Sequence, residues 1–182
     1  MPTAEQVIEQ TSKWIKDVVV GCNFCPFAAR EVKRNSIHYQ VETATTLAAC
    51  LQSFLNECKR LDAETIETTL LILPDAFPVF KDYLQLVDMA ERLLKQEGYE
   101  GVYQVADFHP QYAFAGAPAN DAANYTNRSP YPMLHLLREE SVEKALQHHP
   151  DPDAIPQRNI DFARAKGLAY MQLLRNACME QE

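Results

Sequence analysis

The stretch TLLILP, residues Thr69 to Pro74, decides the fold of this chain. It is a short uncharged run that ends at a proline, which is typical of a strand buried on both faces of a sheet. Apolar residues recur at helical spacing before it, over residues 47–61, and after it, over residues 80–94. The patterns over residues 37–41 and 102–108 indicate one further strand on either side. The order is therefore strand, helix, strand, helix, strand.

This alternation predicts an α/β fold with a parallel sheet and right-handed helical crossovers. A capping-box pattern at Thr3 begins a further helix ahead of the first strand. In the last third, Pro132 suits the first turn of a helix that runs to about His148, and a final helix follows from about Pro156. We therefore expect residues 1–182 to form a single α/β domain, with a small mainly parallel sheet and a C-terminal helical pair.

The composition excludes several classes of protein. With 17 Lys+Arg against 25 Asp+Glu, the formal net charge of -8 disfavours nucleic acid, whose phosphates need clustered basic residues. The longest uncharged stretch, residues 43–56, is shorter than the ~18 residues that a membrane helix needs. Only 5 glycines are present, and they are too scattered for a dinucleotide fingerprint or a phosphate-binding P-loop. Without a secretory pattern, the 5 cysteines are expected to be thiols of a soluble cytoplasmic protein.

The long loop, residues 109–131, carries the functional signal. It has no helical or strand periodicity, and loops of this length are usually either functional or disordered. It is rich in aromatic residues, and between residues 101 and 135 only Asp107, Asp121 and Arg128 are charged. Disordered segments have the opposite bias, so we expect an ordered loop. It follows the carboxyl end of a strand, where α/β proteins tend to bind their ligands.

Charged and titratable residues in and after this loop predict a site for a small anionic molecule. Arg128 needs a partner in such an apolar loop, which could be Asp107, Asp121 or an anionic ligand. On the predicted helix from Pro132, His135, Arg138 and Glu139 share one face. The catalytic candidates are His109, His135 and Cys25, and the substrate-binding candidates are Arg128, Ser129, Arg138, Arg158 and Asn159. A histidine would act as the general acid or base, and the guanidinium groups would hold the anion.

Cys22 and Cys25 form a C-x-x-C pair whose role has several interpretations. If Pro26 opens a helix, the Cys25 thiol would have a lowered pKa and could be a nucleophile. A zinc or iron site of Cys25, His109 and His135 is an alternative, although no cofactor is otherwise predicted. The stretch also resembles the glutaredoxin turn, but Ala28 stands in place of the second cysteine. A buried thiol is the simplest interpretation.

Four stretches together resemble the bacterial family DUF1415, a domain of unknown function. They are GCNFCPFA at residues 21–28, VADFHPQYAFAG at 105–116, YTNRSPYPMLHLLREES at 125–141 and IPQRNI at 155–160. The resemblance covers nearly the whole chain and implies a soluble single-domain bacterial protein. It implies no activity, substrate or catalytic residue.

Three functional hypotheses follow. The first is a cytosolic enzyme, a hydrolase or transferase, that acts on a small anionic metabolite. The second is a non-catalytic ligand-binding or interaction module that uses the same pocket. The third is a metalloprotein with a Cys/His site. In each case we expect neither a nucleic acid nor a membrane as a partner.

Overall fold

A four-stranded mixed sheet lies at the centre of the fold, in a computed structural model that describes residues 2–180. The strands are β1 (Ile37–Val41), β2 (Thr68–Ile72), β3 (Tyr103–Phe108) and β4 (Met133–Arg138), and their spatial order is β1-β2-β4-β3. β1 and β2 are parallel, whereas β4 is antiparallel to both β2 and β3. The three strands predicted from the sequence therefore run in one direction, and β4 lies between two of them.

Helices cover both faces of this sheet. They are α1 (Ala4–Trp14), α2 (Ala28–Arg34), α3 (Leu47–Ala63), α4 (Phe80–Gln96), α5 (Glu139–Gln147), α6 (Ile155–Lys166) and α7 (Leu168–Ala177), and a π-helical segment (Ile15–Val20) continues α1. Alternate residues of β2 point to opposite faces, because side chains alternate along a strand. Leu71 packs in one core with α3 and α4, and Leu70 packs in a second core with α1, the π-helical segment, α6 and α7.

Local signals in the first half of the chain predict the elements well. The Thr3 side chain accepts the Gln6 N–H, and the Gln6 side chain accepts the Thr3 N–H, so the predicted capping box is present. Gly98 adopts φ 79° just beyond α4, which is the conformation that a helix stop requires. The predicted helices and strands between residues 37 and 108 are confirmed within two residues at each end.

The helix predicted from Pro132 is wrong, and with it the prediction of a mainly parallel sheet. Residues 133–138 form β4, and the helix that follows, α5, begins only at Glu139. Met133 is buried in one core, while Leu134 and Leu136 are buried in the other, so the run contributes to both faces of the sheet. Burial on two faces outweighs the helix propensity of leucine.

The C-terminal region also differs from the prediction. The single helix expected from about Pro156 is divided into α6 and α7 at Gly167, which adopts φ 88°. A residue with a side chain adopts this conformation only with strain, so glycine allows the chain to turn here. Within the long loop, residues 122–126 form a short 3-10 helix whose five residues are all buried.

Thr69 offers a test of the α3–α4 side of the core. It is fully buried between His38 of β1 and Leu136 of β4, and its hydroxyl has no hydrogen-bond partner among residues 2–180. We expect Thr69→Val to raise the free energy of unfolding by about 1 kcal/mol, because it removes an unpaired polar group at nearly constant shape. Urea unfolding would measure the change.

The matched control is Thr126→Val. Thr126 is also buried, but its hydroxyl donates to the Ala123 carbonyl at 3.0 Å. Its replacement should lower the free energy of unfolding by about 1 kcal/mol. A loss of stability in both variants would show that the Thr69 hydroxyl has a partner after all.

Candidate functional site

The long loop is held in shape from inside by a buried amide. Asn124 is fully buried, its Oδ1 accepts the Phe114 N–H at 3.0 Å, and its Nδ2 donates to the Pro118 carbonyl at 2.9 Å. The oxygen and the nitrogen of one side-chain amide therefore fix the conformation of residues 114–118. Gly116, at φ 77°, allows the chain to turn within this segment.

Arg128 has a protein partner that the sequence did not predict. Its Nε donates to the Tyr112 carbonyl at 2.8 Å, and its Nη2 donates to the Ala119 carbonyl at 2.7 Å. The guanidinium also lies over the Tyr125 ring, 4.9 Å from the ring centre. Its partners are thus backbone carbonyls and a ring, and neither of the two predicted aspartates pairs with it.

Arg138 is the last residue of β4, at the end of the strand away from the long loop. Its Nη2 donates to the carbonyls of Leu61 at 2.6 Å and Ile66 at 2.7 Å, at the end of α3. β4 separates it from the long loop, and at ~3.3 Å per residue the strand spans roughly 17 Å. The face that His135, Arg138 and Glu139 were expected to share is not formed, because Arg138 is three positions after His135 on a strand and points to the opposite side.

Arg158 and Asn159 contact the C-x-x-C segment. Arg158 donates to the Asn23 carbonyl, and the Asn159 Nδ2 donates to the Phe24 carbonyl at 2.7 Å. Asn23 and Phe24 are the two residues between the cysteines, so the start of α6 holds this turn in place. Two of the sequence stretches that resemble the family, residues 21–28 and 155–160, are therefore in direct contact.

Ser129 is fully buried at the end of the long loop. Its hydroxyl donates to the Tyr131 carbonyl at 2.5 Å, and its own carbonyl accepts from Arg175 Nη1 at 3.3 Å. Burial lowers the pKa of Arg175. These bonds connect the loop to α7, and substrate binding by Ser129 stays a prediction.

His109 is fully buried, and both of its ring nitrogens are bonded. Nδ1 accepts the Gln111 N–H at 2.9 Å, so Nε2 carries the proton and donates to the Phe77 carbonyl at 2.9 Å. The ring packs against Phe80 and Tyr83 of α4, on the α3–α4 side of the sheet. Burial lowers its pKa, which keeps the imidazole neutral. The visible role of His109 is to connect the loop to the segment after β2.

His135 lies on the other face of the sheet and keeps one nitrogen available. Its Nε2 is 2.7 Å from the Thr68 hydroxyl, which itself donates to the Leu136 carbonyl. Nε2 must therefore be the donor, and Nδ1 is a bare acceptor without a partner among residues 2–180. Burial lowers the pKa of His135 to about 4, so the ring is neutral at pH 7. Of the two histidines, His135 is the one that could accept a proton.

The expected activation of Cys25 is wrong. The helix after it, α2, begins at Ala28 rather than at Pro26, and burial raises the pKa of the Cys25 thiol despite bonds from two backbone N–H groups. Cys25 packs against the core on the α1 side, whereas His109 lies on the opposite side of the sheet. Among residues 2–180, no three His, Cys, Asp or Glu side chains form a group that could hold a metal ion.

A cavity of about 300 Å³ lies between the long loop and α6, and we call it the loop–α6 cavity. It is lined by Phe114, Ala115, Gly116, Ala117, Pro118, Asp121, Ala123, Ile160 and Arg164. The loop was predicted to form the site, but Arg164 was missed because it lies on a helix without any motif. Its position one turn after Ile160, a residue of the predicted packing face, is the only sequence signal that could have indicated it.

Arg164 and Asp121 form a two-point ion pair at the wall of this cavity. Arg164 Nη2 is 2.7 Å from Asp121 Oδ2, and Nε is 3.2 Å from Oδ1. The hydrogen bonds from Arg164 lower the pKa of Asp121 to about 2. The Arg164 side chain nevertheless remains 57% exposed, so the pair orients the guanidinium without enclosing it.

The fold and the cavity define a mixed-sheet α/β protein with a small, mainly apolar pocket beside an arginine. Residues 6–173 match the model of a family described as a protein of unknown function, DUF1415, and the chain belongs to that family. No curated protein and no solved structure matches the chain. Within residues 2–180, no helix is both long enough and apolar enough to cross a membrane.

Proposed function

We propose that this protein is a non-catalytic binding module for a small carboxylate- or phosphate-bearing molecule. The observation that carries the proposal is the oriented guanidinium of Arg164 at the wall of the loop–α6 cavity. Guanidinium groups bind carboxylates and phosphates through paired hydrogen bonds. This is the second of the hypotheses drawn from the sequence, with Arg164 in the place of the arginines expected there.

The lining of the cavity limits the kind of ligand. A volume of about 300 Å³ is at the lower end of the range for small-molecule sites, so the ligand must be small. Phe114, Pro118 and Ile160 offer apolar surface, and Arg164 Nη1 has no hydrogen-bond partner among residues 2–180. A ligand with an apolar body and one anionic group satisfies both features.

Thermal unfolding with benzoate and phenyl phosphate tests the proposal. A ligand at ten times its Kd adds about 1.4 kcal/mol to the stability of the folded state, which corresponds to roughly 3–6 °C in Tm for a chain of this size. We expect the Arg164→Gln variant to show no such rise in Tm with either compound, because the cavity then has no cation.

Arg92→Gln is the matched control. Arg92 forms a comparable exposed ion pair with Asp88, at 2.9 Å on α4, outside the loop–α6 cavity. For each variant, the Tm with ligand is compared with the Tm of the same variant without ligand, so a general loss of stability does not affect the result. An increment in Arg164→Gln equal to that of the unmodified protein would overturn the proposal.

Catalysis is the second candidate function, and His135 favours it. Its Nδ1 is free and its ring is neutral at pH 7, so this nitrogen can accept a proton, although the lowered pKa makes it a weaker base than an ordinary imidazole. A hydrolase or transferase that acts on a small anionic metabolite would use this group. His109 is a weaker candidate for that role, because both of its nitrogens are already bonded.

We propose the bacterial cytoplasm as the setting. All five cysteines are free thiols, and a reducing compartment maintains that state. The formal net charge of -8 supports a partner other than nucleic acid.

A further inference from the structure

Three half-buried aromatic rings lie together near the carboxyl end of β3. The ring centres of Phe80 and Tyr112 are 5.2 Å apart with an interplanar angle of 54°, and those of Tyr112 and Phe114 are 5.1 Å apart at 73°. Because neither pair is parallel, the rings present their faces in different directions, with Tyr112 in the middle. Tyr112 therefore meets Phe80 at a tilt and Phe114 edge to face, and the three rings do not form one stack.

Asp107 adjoins these rings and has no cationic partner. Burial and this nearby half-buried carboxylate both raise the pKa of the Tyr112 phenol, and none of the ion pairs among residues 2–180 includes Asp107. Burial raises its pKa. His109, the base that packs against Phe80, is neutral and fully bonded, so it supplies no compensating charge. A partly buried carboxylate without a counter-charge is unfavourable, and a bound cation would relieve the cost.

We propose that Asp107 and the rings of Phe80, Tyr112 and Phe114 bind an organic ammonium ion. The faces of aromatic rings attract ammonium groups, and the carboxylate adds a direct charge contact. A bare metal ion fits less well, because calcium or magnesium needs several oxygen ligands and this cluster offers one carboxylate. The net charge of -8 also attracts cations to the protein. The proposed site shares Phe114 with the loop–α6 cavity, but its charged group is Asp107 rather than Arg164.

A titration with choline at constant ionic strength tests the proposal, with binding monitored through the amide signals in nuclear magnetic resonance spectra. We expect a Kd of about 1 mM, with shifts centred on residues 80, 107, 112 and 114. The uncharged isostere, in which a tert-butyl group replaces the trimethylammonium group, should bind at least roughly tenfold more weakly, because it keeps the shape and lacks the charge. Equal binding of the two compounds would overturn the proposal.

Three variants test which residues contribute to choline binding. Asp107→Asn should weaken choline binding about tenfold, and Phe114→Leu about threefold, since each ring contributes a modest share. Asp75→Asn, which changes an exposed carboxylate after β2, should bind choline as the unmodified protein does. Unchanged choline binding in Asp107→Asn would also overturn the proposal, and the comparison of choline with its isostere decides the matter if that variant fails to fold. Benzoate binding should persist in Asp107→Asn, so failure of one site can be told from failure of the other.

Discussion

His109→Ala is expected to lower the free energy of unfolding by about 3–5 kcal/mol. The imidazole is fully buried against Phe80 and Tyr83, so its removal leaves a cavity in the α4 side of the fold. It also removes the hydrogen-bond partner of the Phe77 carbonyl and of the Gln111 N–H, which adds to the loss. The effect should be structural, because neither nitrogen is free to exchange a proton with a ligand.

Urea unfolding would measure this loss, with His148→Ala as the control. His148 is exposed directly after α5, and its replacement should change the free energy of unfolding by less than about 0.5 kcal/mol. A value for His109→Ala within 1 kcal/mol of the unmodified protein would mean that water replaces the ring easily. The site would then be open to solvent, and His109 would return as a candidate for chemistry.

The start of α1 and the elements between residues 37 and 108 could be predicted because their signals are local. Periodicity marks α3 and α4, and Thr3 and Gly98 mark helix ends through their own backbone and side-chain bonds. β4 has no such signal. Its leucines suit a helix equally well. The run forms a strand because it pairs with two strands that are distant in sequence: Leu136 lies opposite Thr69 of β2 on one side and Val105 of β3 on the other.

The long loop was predicted to be ordered, but its contacts were not predicted. Composition indicated that the long loop would be ordered, and the loop does line the cavity. The partners of Arg128 are backbone carbonyls, which every residue carries and which no side-chain pattern reveals. The pair of Asp121 and Arg164 spans 43 residues, so only the packing of α6 on the loop brings the two together.

Acidification is expected to reduce stability steeply between pH 6.5 and about 4, and His135 should be a main cause. Burial lowers its pKa to about 4 in the folded protein, whereas the unfolded chain has the ordinary value of 6.5. In that interval the unfolded chain binds a proton that the folded protein does not, so stability falls as the pH falls. At 1.36 kcal/mol per pH unit, His135 should cost about 2–3 kcal/mol by pH 4.5. His109, whose pKa is also lowered, acts in the same direction.

His135→Asn isolates this contribution, because its amide can still donate to the Thr68 hydroxyl but does not titrate. Its free energy of unfolding, from urea series across this pH interval, should fall by about 2–3 kcal/mol less than that of the unmodified protein. His148→Asn, at an exposed position, should keep the unmodified slope. Equal slopes for His135→Asn and the unmodified protein would mean that the ring titrates normally in the fold. Such a ring would be solvated and partly charged near neutral pH, and the description of His135 as a buried, neutral imidazole would then be wrong.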